Sequence, residues 1–208
     1  MPRPRSLTTR QIAVAALAVI DREGLAALSM RTVAAELDRR TMALYRYVED
    51  REELECLVAE LVLSPVLDRL DAAARGRGTP RERIVSLAEL VHAAVAAHPG
   101  ALPLAVKHRA ACMPALRWAE SVLGVLAETG LDAADRPPAL RAVAAHLIGA
   151  LELEHGPGAA EGGRSAAAAL PRDAFPLLVQ AAEEGGRPTA DRSFRVGLDA
   201  LLAGLGIA

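Results

Sequence analysis

Apolar residues recur along the chain every three to four positions, the spacing of one face of an α-helix, and nowhere alternate as in a half-buried strand. Ile12, Ala15, Ala16, Val19 and Ile20 form the first such stripe. Thr8 and Gln11 have the spacing of a capping box, which predicts a helix from there to about Gly24. Ser29 predicts the cap of a short second helix ending near Leu37. A third helix is expected from Thr41 to Tyr47, and a fourth from about Arg51 carrying Leu54, Leu57, Val58, Leu61 and Val62. Arg75-Gly76-Arg77-Gly78 reads as a break, after which Thr79-Pro80-Arg81-Glu82 opens a helix that runs to His98 and stops at Pro99-Gly100. Pro114 opens a helix closed by Gly130, and Pro137-Pro138 opens one from about Ala139 to His155. Residues 156–169, rich in Gly, Ala and Ser, read as a loop; two further helices follow, about 176–184 and 191–205. The fold class is all-α, without internal repeats.

Composition narrows the picture. With 208 residues, 52% hydrophobic and 24% charged, the chain can bury a real core and is not disordered. No apolar run reaches the roughly 18 residues that a membrane span needs. The N-terminus has no apolar stretch followed by a cleavage site, so no signal peptide is expected. Cys56 and Cys112 make no disulfide framework, and the expected compartment is a reducing cytoplasm. The net charge of −2 is unevenly spread. Residues 1–51 hold nine arginines against six acids, a net +3, on a body that carries −5. Lys107 is the single lysine. A basic head on an acidic body suggests that the head alone meets a polyanion.

The stretch LSMRTVAAELDRRTMALYRYVEDREEL, from Leu28 to Leu54, has the layout of a helix-turn-helix: a capped helix, the polar turn Asp38-Arg39-Arg40, and a second short helix. Ala34, Ala35 and Leu37 suit a close helix crossing. Leu44 and Val48, four apart, face the core, which leaves Thr41, Met42, Tyr45 and Arg46 on the opposite face. Both tyrosines of the chain, Tyr45 and Tyr47, fall here. Phenol hydroxyls reach phosphates, and arginine grips guanine or phosphate.

The first 55 or so residues resemble the tetracycline-repressor (TetR) family of bacterial transcriptional regulators, through "IDREGLAALSMRTVAAEL" followed by "TMALYRYVEDREEL". The ending "ADRSFRVGLDALLAGL" is similar to the last helix in one branch of that family. The resemblance implies a helix-turn-helix DNA-binding domain at 1–52 and an effector-binding and dimerisation domain at 53–208. It implies that Arg31 contacts DNA. Arg40, Thr41, Met42 and Ala43 would read base edges, while Tyr45, Tyr47 and Arg51 would hold backbone phosphates. Arg46 is placed to touch either. Asp38 and Arg39 depart from the family, which has Gly and a buried aliphatic in this turn. Asp tolerates a left-handed backbone, and Arg39 is expected to snorkel outward.

Two half-sites need two copies of a reading head. The expected dimer surface is the helix 139–155, with Leu140, Val143, Ala144, Leu147, Ile148 and Leu151, together with the last helix, with Phe194, Val196, Leu198, Leu201, Leu202 and Leu205. Both stripes also suit an ordinary core. Small residues such as Ala144, Gly149, Ala150 and Gly197 allow close approach. Polar groups interrupting the apolar helices between 79 and 185 make His92, His108, Trp118 and His146 candidate effector-pocket residues. The expected protein is a dimeric, ligand-responsive regulator, a repressor, that binds a palindromic double-stranded DNA operator. Its small-molecule effector would shift the spacing of the recognition helices away from about 34–36 Å, with the fourth helix as the lever. No cofactor, membrane or catalytic role is expected. An alternative from another class is a di-iron carboxylate bundle, because Glu89-x-x-His92 and Glu152-x-x-His155, with Glu60 and Glu120, supply that ligand inventory.

Overall fold

The structure, a computed structural model, describes residues 7–156, 166–184 and 190–207. Among these there is no strand, and the chain is all-α. The helices are α1 (Thr9–Glu23), α2 (Met30–Glu36), α3 (Thr41–Leu44), α4 (Arg51–Arg75), α5 (Pro80–Ala96), α6 (Leu102–His108), α7 (Met113–Leu126), α8 (Arg136–His155), α9 (Pro176–Glu184) and α10 (Ala190–Gly204). Most of the expected loop at 156–169 lies outside the described residues.

Local chemistry explains the boundaries. The Gln11 N–H donates to Thr8 Oγ1 while Gln11 Oε1 accepts from the Thr8 N–H, closing the capping box of α1. Gly24, at φ 82°, ends that helix, its N–H on the Ile20 carbonyl. α2 is boxed in the same way by Ser29 and Thr32, and α5 by Thr79 and Glu82 with Pro80 in its first turn. α5 ends at Ala96, two residues short of the expected stop, and α8 begins at Arg136, three before the expected start, because Pro137 and Pro138 sit inside its first turn.

Two elements differ more. α3 is a single turn, Thr41–Leu44, and not the expected helix to Tyr47. The Tyr47 N–H bonds back to the Leu44 carbonyl, a tighter i→i−3 closure, and the spacing of Leu44 and Val48 is the same in either geometry. α6 was not anticipated after the stop at Pro99-Gly100; Pro103 sits in its first turn, where the missing N–H costs nothing.

One apolar core runs from Ile12 to Ile207. α4 is its spine, packed against α1, α5, α6 and α7, while α10 packs on α8 and α5. Pro65 lies inside α4, where it leaves the Leu61 carbonyl without its N–H donor; the Ser64 hydroxyl donates to that carbonyl at 2.8 Å. Gly197 of α10 faces the His146 ring of α8 so closely that a Cβ there would meet His146 Cε1 at 2.4 Å. The small residue serves packing within the chain. The two stripes expected to face a partner serve it in large part too: Val143, Leu147, Leu151, Phe194, Leu198 and Leu202 are all buried within the chain.

Candidate nucleic-acid interface and apolar cavity

The reading head is built on its turn. After α2, Asp38 takes φ 51°, with its N–H on the Ala35 carbonyl and the Arg39 N–H on the Ala34 carbonyl. That pair of bonds is a Schellman closure, normally made with glycine at the left-handed position. Arg39 is exposed, with its guanidinium folded onto the Asp38 carbonyl at 3.0 Å. The turn therefore keeps its geometry without glycine and without a buried aliphatic after it.

Leu44 and Val48 are fully buried and pin α3 to the core. The opposite side faces out: Met42 is 73% exposed and Tyr45 46%, and Arg46 is exposed beside them. Thr41, Ala43 and Tyr47 are half-buried, with Tyr47 packed against the core. Arg31 on α2 and Arg40 before α3 are exposed. Arg31, Arg40 and Arg46 make no ion pair with any described residue, whereas Arg22, nearby on α1, is held by Glu23 and Glu36. Unpaired guanidiniums on an outward face are what a polyanion requires.

Arg51, the first residue of α4, leads into a charge cluster that the sequence did not single out. Its Nε donates to Glu55 Oε1 at 2.8 Å, while Lys107 Nζ donates to Glu55 Oε2 at 2.7 Å and His108 Nε2 approaches that oxygen at 3.3 Å. Glu55 is only 6% exposed. Burial alone would push its carboxyl up, but the bonds from Lys107, Arg51 and His108 win and hold it down to about 2. Beside it, burial and then the Glu52 and Glu60 carboxylates push the Cys56 thiol up. The thiol therefore keeps its proton, and its Sγ lies 3.0 Å from His108 Nδ1. The available signal was a carboxylate on the apolar stripe of α4, three residues before Val58.

Above this cluster lies an apolar cavity of about 80 Å³. Its walls come from α4 (Leu63, Val66), α5 (Val91, Val95), α6 (Leu102, Ala105, Val106), α7 (Ala115, Trp118) and α8 (Leu147, Ile148, Leu151), with Arg109 the one charged side chain among the described residues that line it. Of the four candidate pocket residues, only Trp118 lines this space; its indole N–H is satisfied by the Leu87 carbonyl at 2.8 Å, so the ring offers the cavity an apolar body. The three histidines tie helices together. His92 bonds Glu154 at 2.7 Å and stacks on Phe194; His146 bonds the Phe194 carbonyl at 2.9 Å; His108 joins α6 to α4 through Glu55.

The di-iron inventory is not assembled. Glu89 pairs with Arg195, His92 takes Glu154 and not Glu152, and Glu120 and Glu152 are exposed. Among the described residues no group of three or more His, Cys, Asp or Glu is placed to hold a metal ion. No single helix among them is long and apolar enough to cross a membrane.

A helix-turn-helix head joined through one long helix to an α-helical body around an apolar cavity is the architecture of one-component transcriptional regulators, and comparison with known proteins places the chain within them. Residues 72–207 match the tetracyclin repressor-like C-terminal domain. The chain is 33% identical over 149 residues to the HTH-type transcriptional repressor DrrR1 of Streptomyces coeruleorubidus, a match covering 72% of this chain and 54% of that repressor. It superposes on a possible TetR family transcriptional regulator from Streptomyces coelicolor A3(2) with a TM-score of 0.84 at 29% identity, over 95% of this chain and 98% of the other. It also superposes on the S. coelicolor TetR family protein ActR in complex with (S)-DNPA, with a TM-score of 0.80 at 27% identity, over 97% and 98%. The chain belongs to the TetR family of transcriptional regulators. It spans 54% to 62% of the length of the curated relatives it matches.

Proposed function

We propose that this chain is a ligand-responsive repressor that binds a palindromic DNA operator as a homodimer. Residues 1–52 are its reading head and residues 53–208 its effector and dimer body. The observation that carries the reading is the outer side of α2 and α3: the apolar pair Leu44 and Val48 anchors the unit, and Met42, Tyr45 and Arg46 stand exposed beside Arg31 and Arg40, which are unpaired among the described residues. In this reading Arg40, Thr41, Met42 and Ala43 meet base edges, and Tyr45, Tyr47 and Arg51 meet phosphates. Two relatives support the direction: DrrR1 is a repressor, and ActR has been solved with (S)-DNPA and with actinorhodin.

The effector site is the apolar cavity, and Trp118 is the candidate residue that lines it. At about 80 Å³ it is far below the roughly 300–1,000 Å³ of a formed ligand pocket. A ligand must therefore push its walls apart, and by binding only the expanded state it shifts the population away from the DNA-binding arrangement. Exposed Leu153 of α8 and Val196 of α10 are the surface for the second copy.

Selection of duplexes from a random pool tests the reading. A palindromic consensus is the expected result, and Arg51→Ala should weaken binding to every duplex and flatten its salt dependence. No enrichment at low salt overturns it.

A further inference from the structure

The Glu55 cluster sits between two regions of different duty. Arg51 and Glu55 belong to the start of α4, next to the reading head; Lys107 and His108 belong to α6, whose Leu102, Ala105 and Val106 wall the cavity. Arg51 spends only its Nε on Glu55, and its two Nη groups are bonded to no described residue. A buried carboxylate needs charge-assisted donors for both oxygens. Here α6 supplies one set and Arg51 the other.

We propose that Lys107 sets DNA affinity from a distance: by satisfying Glu55 Oε2 it leaves the outer N–H groups of Arg51 free for a phosphate. If Lys107 is withdrawn, the one always-charged partner left on Glu55 among the described residues is Arg51, and a guanidinium can turn to meet a carboxylate with two parallel N–H groups. Turned that way, it no longer points at DNA. Because α6 also walls the cavity, the Lys107–Glu55 bond ties that wall to a phosphate contact. Lys107 is a positioning residue in this scheme; Arg51 makes the contact. The inference rests on the duplex-binding reading above.

A double-mutant cycle on the full chain tests it, with a random-sequence duplex as probe and binding followed across a salt series. Lys107→Met is expected to weaken binding about tenfold and to reduce the salt slope by close to the value of one phosphate, about 0.9. In the Glu55→Gln background, where no buried charge recruits Arg51, the same Lys107→Met change should be silent in both affinity and slope. Lys107→Arg, which keeps a cation on Glu55, should bind like the wild type and guards against loss through misfolding. A Lys107→Met cost that is equal in the two backgrounds means that Lys107 touches DNA directly, and the proposal falls; absence of a cost in the wild-type background also overturns it. Failure of the wild-type chain to bind any duplex at low salt removes the functional reading itself, and this inference with it.

Discussion

Asp38 shows how a single residue departs from its family without breaking the fold. Its backbone sits at φ 51°, a region where a side chain crowds the following carbonyl, yet both closing hydrogen bonds of the turn are made. Asp38→Gly should therefore raise the stability of the protein by about 1 kcal/mol, the usual penalty for a side chain in that region, and leave DNA affinity unchanged. Thermal melts measure the first and duplex titration the second. Glu55 is the opposite case, a residue whose departure is electrostatic. Its folded-state value of about 2 lies below the usual 4.5, so the unfolded chain binds the proton more readily. The stability it confers is present in full above about pH 4.5 and is lost as pH falls from there to 2. Urea unfolding at stepped pH should show the gap between wild type and Glu55→Gln closing across that interval. The sequence permitted a left-handed turn at Asp38, because Asp is one of the few residues that accept it, but the closing bonds to Ala34 and Ala35 are seen only in the structure. The buried carboxylate was not: its partners on α6 lie more than 50 positions away.

At the level of elements, what the sequence made legible was whatever is settled within a turn of helix. Two capping boxes, the Ser29 cap, the Gly24 stop and the openings at Pro80 and Pro114 are contacts between residues at most four apart, and all are found in the structure. The extent of α3 and the existence of α6 depend on tertiary packing, since neither carries a side-chain cap of its own. α4 contains a local repair that can be measured. Pro65 removes one N–H from the helix ladder, and Ser64 Oγ replaces it on the Leu61 carbonyl. Ser64→Ala should cost about 0.5–1 kcal/mol in the wild type. In a Pro65→Ala background the restored backbone N–H competes for the same carbonyl, and the serine substitution should cost almost nothing. Equal costs in both backgrounds would mean that the hydroxyl does not stand in for the missing donor.

For the whole molecule, the apolar stripes of α8 and α10 have two sides with separate work. Leu147, Leu151, Leu198 and Leu202 fill the protomer's own core, so substituting them tests folding alone. Val196 and Leu153 stand 61% and 79% exposed on the same two helices, where nothing in the protomer covers them among the described residues. This division could not be read from the sequence, because a helix that is apolar around much of its circumference has no single inward face. It gives a clean test of the proposed dimer. Val196→Glu adds a charge to a solvent-exposed position of the single chain, so it should leave the protomer's helical content intact. If α8 and α10 form the symmetric interface, the residue meets its counterpart's surface, and burying unpaired carboxylates there splits the dimer. Sedimentation should then show a 21.8 kDa species in place of one twice that mass. Binding to a full palindrome should fall to the level of a single half-site, because the two heads no longer arrive together. A variant that sediments as a monomer yet keeps full palindrome affinity would separate operator binding from this interface. One that stays dimeric would move the interface to another face of the body.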